Sequence, residues 1–163
     1  MNLRKIILTA LFMAIGVLSA HLIVIPVGVA KCFPVQHAIN ILLAVLVGTR
    51  GAVMGSFGIA LLRNLLGTGS IMAFPGSIFG AFLASVAYNK TKSVYVAALG
   101  EVFGTGIIGG TVAFFLAKVL LGSSIGAFYY VFPFVISSAG GSFIAVLLYK
   151  FLGEAILKKY LMI

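Results

Sequence analysis

Long apolar stretches separated by short turns dominate the sequence from Ile6 to Phe151. Hydrophobic residues make up 63% of the 163 residues and charged residues only 8%, against roughly 25% in a typical soluble domain. The polar groups are too few to cover a water-soluble particle, and the apolar stretches suit a hydrocarbon core of about 30 Å. The chain is therefore predicted to be one membrane domain embedded in a lipid bilayer.

The breaks between these stretches define six segments. Glycine, proline or short polar runs occur near 26–34, 48–51, 67–70, 89–92 and 122–124. We predict an all-α, six-transmembrane-helix bundle in a single domain, residues 1–163, with helices at about 6–25, 35–47, 52–66, 73–88, 94–121 and 126–151. Segments two to four are shorter than the ~20 residues that an isolated span needs. They would have to tilt or pack among neighbours, and four or five spans are the alternative.

The basic residues predict the orientation of the bundle. With the N-terminus in the cytoplasm, eight of them fall on the inner side: Arg4, Lys5, Arg50, Lys90, Lys92, Lys150, Lys158 and Lys159. Three fall on the outer side or in the outer half: Lys31, Arg63 and Lys118. This bias follows the positive-inside rule and predicts that both termini are cytoplasmic. Because the net charge of +9 is spread over segment ends, we expect no nucleic-acid partner.

Pairs of small residues four positions apart predict close helix–helix contacts. The pairs are Gly100 and Gly104, Gly106 and Gly110, Ala10 and Ala14, and Gly16 and Ala20. Packing inside the bundle is one explanation. A contact between the first segment and another membrane protein is the other.

Six polar side chains near the outer ends of segments two and three, and in segment five, form a candidate binding site. They are Gln36, His37, Asn40, Arg63, Asn64 and Glu101. Polar groups inside a bilayer are costly and usually face the bundle interior or a cavity. Capping of segment two, and an ion pair between Glu101 and Arg63, are the structural alternatives to ligand binding.

The connectors at 26–34 and 67–74 lie on the same predicted side as these polar groups, so either is a candidate lid. An aromatic group begins segment six: Phe128, Tyr129, Tyr130 and Phe132. It is typical of an interfacial belt, and the wall of a ligand pocket is the alternative. Together these features favour capture of a small molecule from outside.

Motifs for catalysis are nearly absent. The sequence GSSIG at 122–126 fits the G-x-S-x-G pattern, but it lies in a turn between membrane segments, and the chain has no Asp for a triad. We find neither a phosphate-binding P-loop nor metal-ligand spacing. We therefore expect no enzyme activity, no cofactor and no metal, and we interpret the single cysteine, Cys32, as a packing residue.

Three stretches resemble the substrate-binding S components of energy-coupling factor (ECF) transporters, specifically the ThiW type. They are HLIVIPVGVAKCFPVQH at 21–37, LRNLLGTG at 62–69 with FPG at 74–76, and GEVFGTGIIGG at 100–110. The resemblance implies a vitamin-uptake subunit of a prokaryotic plasma membrane. It would bind a vitamin precursor, hydroxyethylthiazole of the thiamine route, beneath the loop at 26–34.

The same resemblance implies partners. A transmembrane T subunit and two cytoplasmic ATPases would drive release inside, with Ala10 and Ala14 meeting the T subunit. Asn64, Glu101 and His37 suit a small neutral aromatic alcohol, whereas Arg63 suits a phosphorylated ligand better. A stand-alone secondary transporter or small channel, coupled to protons through Glu101, is the alternative function.

Overall fold

The structure, a computed structural model, describes residues 1–27, 30–122, 124, 126 and 128–152. Its elements, in chain order, are α1 (Leu3–Leu22), β1 (Ile25–Val27), β2 (Ala30–Cys32), α2 (Pro34–Leu46), α3 (Thr49–Leu65), α4 (Ala73–Thr91), α5 (Val94–Val102), a π-helix (Phe103–Gly109), α6 (Gly110–Leu121) and α7 (Val131–Leu152). Since α5, the π-helix and α6 follow without a break, the described chain forms six helical rods. The predicted helical architecture is confirmed, with one antiparallel β-hairpin added.

Several boundaries differ from the predicted segments by three to five residues, including the start of the first helix at Leu3 and the end of the fourth at Thr91. The first helix ends at Leu22, because the following chain enters the hairpin, in which Ile25 pairs with Cys32. The third begins earlier, at Thr49, directly after Gly48, whose φ of +87° separates it from α2. The last begins at Val131, five residues after the predicted start. Lys158 and Lys159, two of the basic residues assigned to the inner side, lie outside the described residues.

The shortest of the six rods, α2, occupies the centre of the bundle. Twelve of its 13 residues are buried, and it contacts α1, α3, α4, α5 and α7. Neighbouring helices, not lipid, therefore surround it, which explains how a segment of this length is accommodated. Its position also places any polar side chain of α2 inside the protein.

The glycine pairs in the fifth rod serve two different contacts. A Cβ added at Gly100 would lie 2.8 Å from the Leu83 carbonyl oxygen of α4, and one at Gly104 would meet the α4 backbone at Phe79. At Gly110 an added Cβ would lie 2.8 Å from Cα of Val131 in α7. The predicted close helix approaches are confirmed, with the first pair against α4 and the second against α7.

The outer surface is apolar. Large hydrophobic side chains with most of their area exposed include Leu18 at 65% and Phe151 at 79%. Three helices are long and apolar enough to cross a membrane by length and composition: Leu3–Leu22, Val94–Leu120 and Val131–Leu152. An apolar exterior around a partly polar interior is what a bilayer requires. The chain is therefore a multi-pass membrane protein.

Candidate functional site

A cavity of about 340 Å³ opens at the end of the bundle that carries the hairpin. We call it the polar cavity. Its lining residues come from the hairpin and the residue after it, from α2, α3, α4 and the connector between α3 and α4, from the π-helix, and from the start of α7 and the residue before it. They are Lys31, Phe33, Gln36, His37, Arg63, Gly67, Thr68, Gly69, Ser70, Met72, Ala73, Gly76, Ser77, Thr105, Tyr130, Pro133, Phe134 and Ser137. The volume is at the lower end of the roughly 300–1,000 Å³ of small-molecule sites.

Glu101 lies behind the wall of this cavity and is 0% exposed. Its Oε1 accepts hydrogen bonds from His37 Nδ1 at 2.8 Å, Asn40 Nδ2 at 3.0 Å and Thr105 Oγ1 at 3.0 Å. Three donors thus converge on one carboxyl oxygen of Glu101. The bond from Nδ1 leaves Nε2 of His37 as the free ring nitrogen, in a side chain that lines the polar cavity.

Arg63 forms a second buried polar group, and is 2% exposed. Its Nη1 donates to Gln36 Oε1, and its Nη2 donates to the Thr68 carbonyl oxygen at 3.0 Å. The guanidinium also lies 3.6 Å from the centre of the Phe33 ring, a cation–π contact. The amide of Gln36 in turn donates to Ser77 Oγ. Arg63 thus joins α2, the connector after α3 and the residue that follows the hairpin.

Three buried polar atoms have no hydrogen-bond partner within the described part of the protein: Asn40 Oδ1, Arg63 Nε and Glu101 Oε2. Buried polar atoms are usually paired, so unpaired ones need an explanation. All three belong to side chains that border or support the polar cavity. The site therefore retains hydrogen-bonding capacity.

The hairpin is fixed to α7 at the mouth of the cavity. Cys32 Sγ donates to the Pro133 carbonyl oxygen at 3.3 Å, and the Phe33 amide donates to Ser137 Oγ at 2.8 Å. Burial raises the pKa of the Cys32 thiol, which keeps it protonated as a donor. Burial, with a smaller contribution from Tyr129, also raises the pKa of Tyr130, so that its hydroxyl stays neutral.

The structure brings most of the predicted site residues together. Gln36, His37 and Arg63 line the polar cavity, while Asn40 and Glu101 lie behind it, linked to His37 by hydrogen bonds. Asn64 is placed differently: its amide donates to the carbonyl oxygens of Ala60 at 2.8 Å and Ser70 at 3.0 Å, and it is outside the cavity lining.

Glu101 and Arg63 do not form the ion pair that the sequence suggested. Glu101 is instead hydrogen-bonded to His37, with 2.8 Å between Oε1 and Nδ1. Arg63 Nη1 donates to Gln36 instead, and His37, Asn40 and Thr105 surround Oε1 of Glu101.

Four residues of the site were not predicted from the sequence: Ser77, Thr105, Phe33 and Phe134. Ser77 bonds to Gln36, and Thr105 bonds to both Glu101 and the Gly76 carbonyl oxygen at 3.0 Å. Thr105 and Phe33 lie inside the stretches that resemble S components, which was the available signal. Ser77 and Phe134 have no such signal, because hydroxyl and aromatic residues are common in membrane helices.

Ala10 and Ala14 are outside the lining of the polar cavity and lie on an exposed face of α1. The helix packs on α2 and α3 through the opposite face, which includes Thr9, Gly16 and Ala20. The two alanines therefore leave a shallow, small-residue surface open to lipid or to another membrane helix.

The described residues contain no group of three His, Cys, Asp or Glu placed to hold a metal ion. The polar cavity offers hydrogen-bond donors and acceptors, a buried cation and aromatic walls. This combination can bind and orient a small organic molecule.

The comparisons with known proteins agree with a transport role. The family model described as "Thiamine-precursor transporter protein (ThiW)" matches residues 6–155. No curated protein and no solved structure matches the chain. The match covers all seven α-helices apart from the first three residues of α1, together with every residue of the polar cavity. The chain belongs to the ThiW family of thiamine-precursor transporter proteins.

Proposed function

We propose that this protein is the substrate-binding S component of an ECF-type importer in a prokaryotic plasma membrane. Its ligand is the thiazole precursor of thiamine, hydroxyethylthiazole, bound in the polar cavity. The observation that carries the proposal is this cavity, enclosed by buried polar side chains at one end of a small membrane bundle whose family transports thiamine precursors.

The chemistry of the lining suits a thiazole alcohol. Phe33, Tyr130 and Phe134 provide aromatic walls for a flat ring. His37 and Ser77 offer hydrogen-bonding groups for the hydroxyl or the ring nitrogen. Small-molecule sites commonly combine a mainly apolar wall with a few well-placed polar groups, and this cavity follows that pattern.

The proposal includes a six-span topology with both termini in the cytoplasm. The hairpin end then faces outward, and the hairpin and the connector after α3 cover the ligand as a lid. The eight-to-three distribution of basic residues supports this orientation. A T subunit would contact Ala10 and Ala14, and two cytoplasmic ATPases would supply the energy for release.

A stand-alone proton-coupled transporter is the second candidate, and the buried His37–Glu101 pair favours it. A histidine beside a carboxylate inside a membrane is typical of proton relays. If this function is correct, liposomes that contain only this chain should take up the solute, and a proton gradient should change the rate of uptake. The S-component function requires the ATPases for uptake and allows binding without them.

Ligand-induced stabilisation tests the proposal. The purified chain would be melted with hydroxyethylthiazole, the hydroxymethylpyrimidine precursor, thiamine and riboflavin. A ligand that binds only the folded state adds about 2.7 kcal/mol of stability at a hundred times its dissociation constant. We expect hydroxyethylthiazole to raise the melting temperature selectively.

Two variants connect that shift to the cavity. His37→Ala removes a cavity hydrogen bond and should weaken thiazole binding about twofold to tenfold. Asn89→Ala removes an exposed amide that donates to Thr49 at 3.1 Å, and should bind as the unmodified protein does. Folded protein that responds to none of the four compounds would overturn the thiazole assignment.

A further inference from the structure

We infer that the polar cavity selects an anionic form of its ligand, a thiazole carrying a phosphate monoester or carboxylate, over the neutral alcohol. The inference rests on the proposed function, since it refines the ligand of the same cavity. It starts from the charge of Arg63, which a neutral ligand leaves without a counter-ion.

The guanidinium of Arg63 has only neutral partners among the described residues. These are the Gln36 side-chain oxygen, the Thr68 carbonyl oxygen and the ring of Phe33, while Nε has no hydrogen-bond partner. The side chain is 2% exposed. Burying a charge without an opposite charge is expensive, and the cost is reduced when a counter-ion arrives.

No carboxylate among the described residues lines the polar cavity. The chain has no Asp and two Glu; Glu101 lies behind His37 and pairs with it, and Glu154 is outside the described residues. Lys31, an exposed residue of the hairpin, adds a second positive charge to the lining. The described lining is therefore cationic, and an anionic group on the ligand would balance it.

Arg63 is also held in place before any ligand arrives. Two of its nitrogens are fixed by hydrogen bonds and its plane is supported by Phe33, so little side-chain freedom remains to be lost on binding. Guanidinium groups form charge-assisted hydrogen bonds to phosphate and carboxylate oxygens. The thiazole ring would thus lie in the aromatic part of the cavity, and the anionic group would lie beside Arg63 in the cationic part.

Calorimetric titration of the purified chain tests the inference with three compounds. They are hydroxyethylthiazole, its phosphate monoester, and the analogue in which a carboxylate replaces the terminal CH2OH group of the side chain. We expect at least one anion to bind about tenfold to a hundredfold more tightly than the alcohol. The two anions distinguish phosphate from carboxylate as the source of the charge.

Three variants locate the effect. Arg63→Gln should abolish the preference for the anion, whereas Arg50→Gln, an exposed arginine at the other end of α3, should preserve it. Lys31→Met should reduce the preference partially, and its exposed position keeps the test valid if Arg63→Gln does not fold. An anion preference that survives both Lys31→Met and Arg63→Gln in folded protein would overturn the inference.

The binding results also separate the two proposals. If the alcohol binds as tightly as both anions, the anion inference is wrong and the thiazole function stands. If none of the three thiazole compounds binds folded protein, the proposed function fails and the inference fails with it.

Discussion

At the residue scale, the polar interior is organised around Glu101 and Arg63, and Gln36 and His37 keep them apart. Each of these two α2 side chains bonds to one of the charged groups and also lines the polar cavity. The residue types of α2 indicated a polar surface. They could not indicate which partner each side chain would choose, because that depends on the rotation of α3 and the fifth rod around α2.

Removing the Glu101 carboxylate is expected to destabilise the fold. Glu101→Ala leaves two buried donors, His37 Nδ1 and Asn40 Nδ2, without this acceptor, whereas the Thr105 hydroxyl can still donate to the Gly76 carbonyl oxygen. Each buried donor that is left unsatisfied typically costs about 1–3 kcal/mol. The measurement is reversible unfolding in mixed micelles. Glu101→Gln keeps an acceptor oxygen, so its free energy of unfolding should fall by less.

Asn89→Ala is the control for this loss. It removes a hydrogen bond between exposed side chains and should change the unfolding free energy by about 0.5 kcal/mol or less. A Glu101→Ala protein as stable as the Asn89→Ala protein would show that the buried cluster contributes nothing to stability.

At the element scale, glycine spacing predicted the close contacts of the fifth rod but not its π-helix. Four-residue spacing places Gly100 with Gly104, and Gly106 with Gly110, on shared faces. The structure keeps each pair on one helix face but directs them to different neighbours, α4 and α7. A switch from i→i+4 to i→i+5 hydrogen bonding has no residue signature as clear as a proline, so the change of face could not be predicted.

Gly100→Ala is expected to separate α4 from the fifth rod. The added Cβ would lie 2.8 Å from the Leu83 carbonyl oxygen and 3.1 Å from the Ala84 nitrogen, and backbone atoms cannot move aside as a side chain can. Overpacking of this kind costs about 1–3 kcal/mol. Unfolding in micelles measures the loss.

Gly140→Ala on α7 is the matched change. The nearest atom to its added Cβ is Cβ of Pro34, at 3.4 Å, so there is room for a methyl group. Alanine also favours a helix over glycine by up to about 1 kcal/mol. We expect this variant to be as stable as the original or slightly more so. Equal losses in the two variants would contradict the close-contact explanation.

At the scale of the whole molecule, an apolar exterior surrounds a bundle in which the shortest rod, α2, is the most enclosed. Composition predicted the membrane environment, and the turn residues predicted six helical segments. The hairpin was not predicted, since its two strands have only three residues each and Pro26 suggested a simple loop. The function of the exposed Ala10–Ala14 surface depends on a partner protein.

Large side chains on that surface are expected to block assembly while leaving ligand binding intact. Under the proposed function, Ala10→Trp and Ala14→Trp should reduce co-purification with the T subunit and ATPases, and ATP-dependent uptake, by tenfold or more, because the surface must admit another helix closely. Ala139→Trp, an exposed alanine on α7, is the control. Equal assembly by all three variants would exclude α1 as the contact.

The π-helix also sets the rotation of α6 relative to α5, the two halves of the longest rod. Each residue of an α-helix turns the chain by about 100°, so the direction in which Gly106 and Gly110 point depends on how many residues separate them from Glu101. Deleting Ile107 or Ile108, which follow Thr105 in the π-helix, would leave Glu101 in its cluster and rotate Gly110 and the rest of the distal half away from α7. Substitutions in this segment act locally, whereas a change in its length shifts the register of a whole interface. We therefore expect related proteins that retain the contacts of this rod with α4 and α7 to differ in length within their connectors and not within the π-helix.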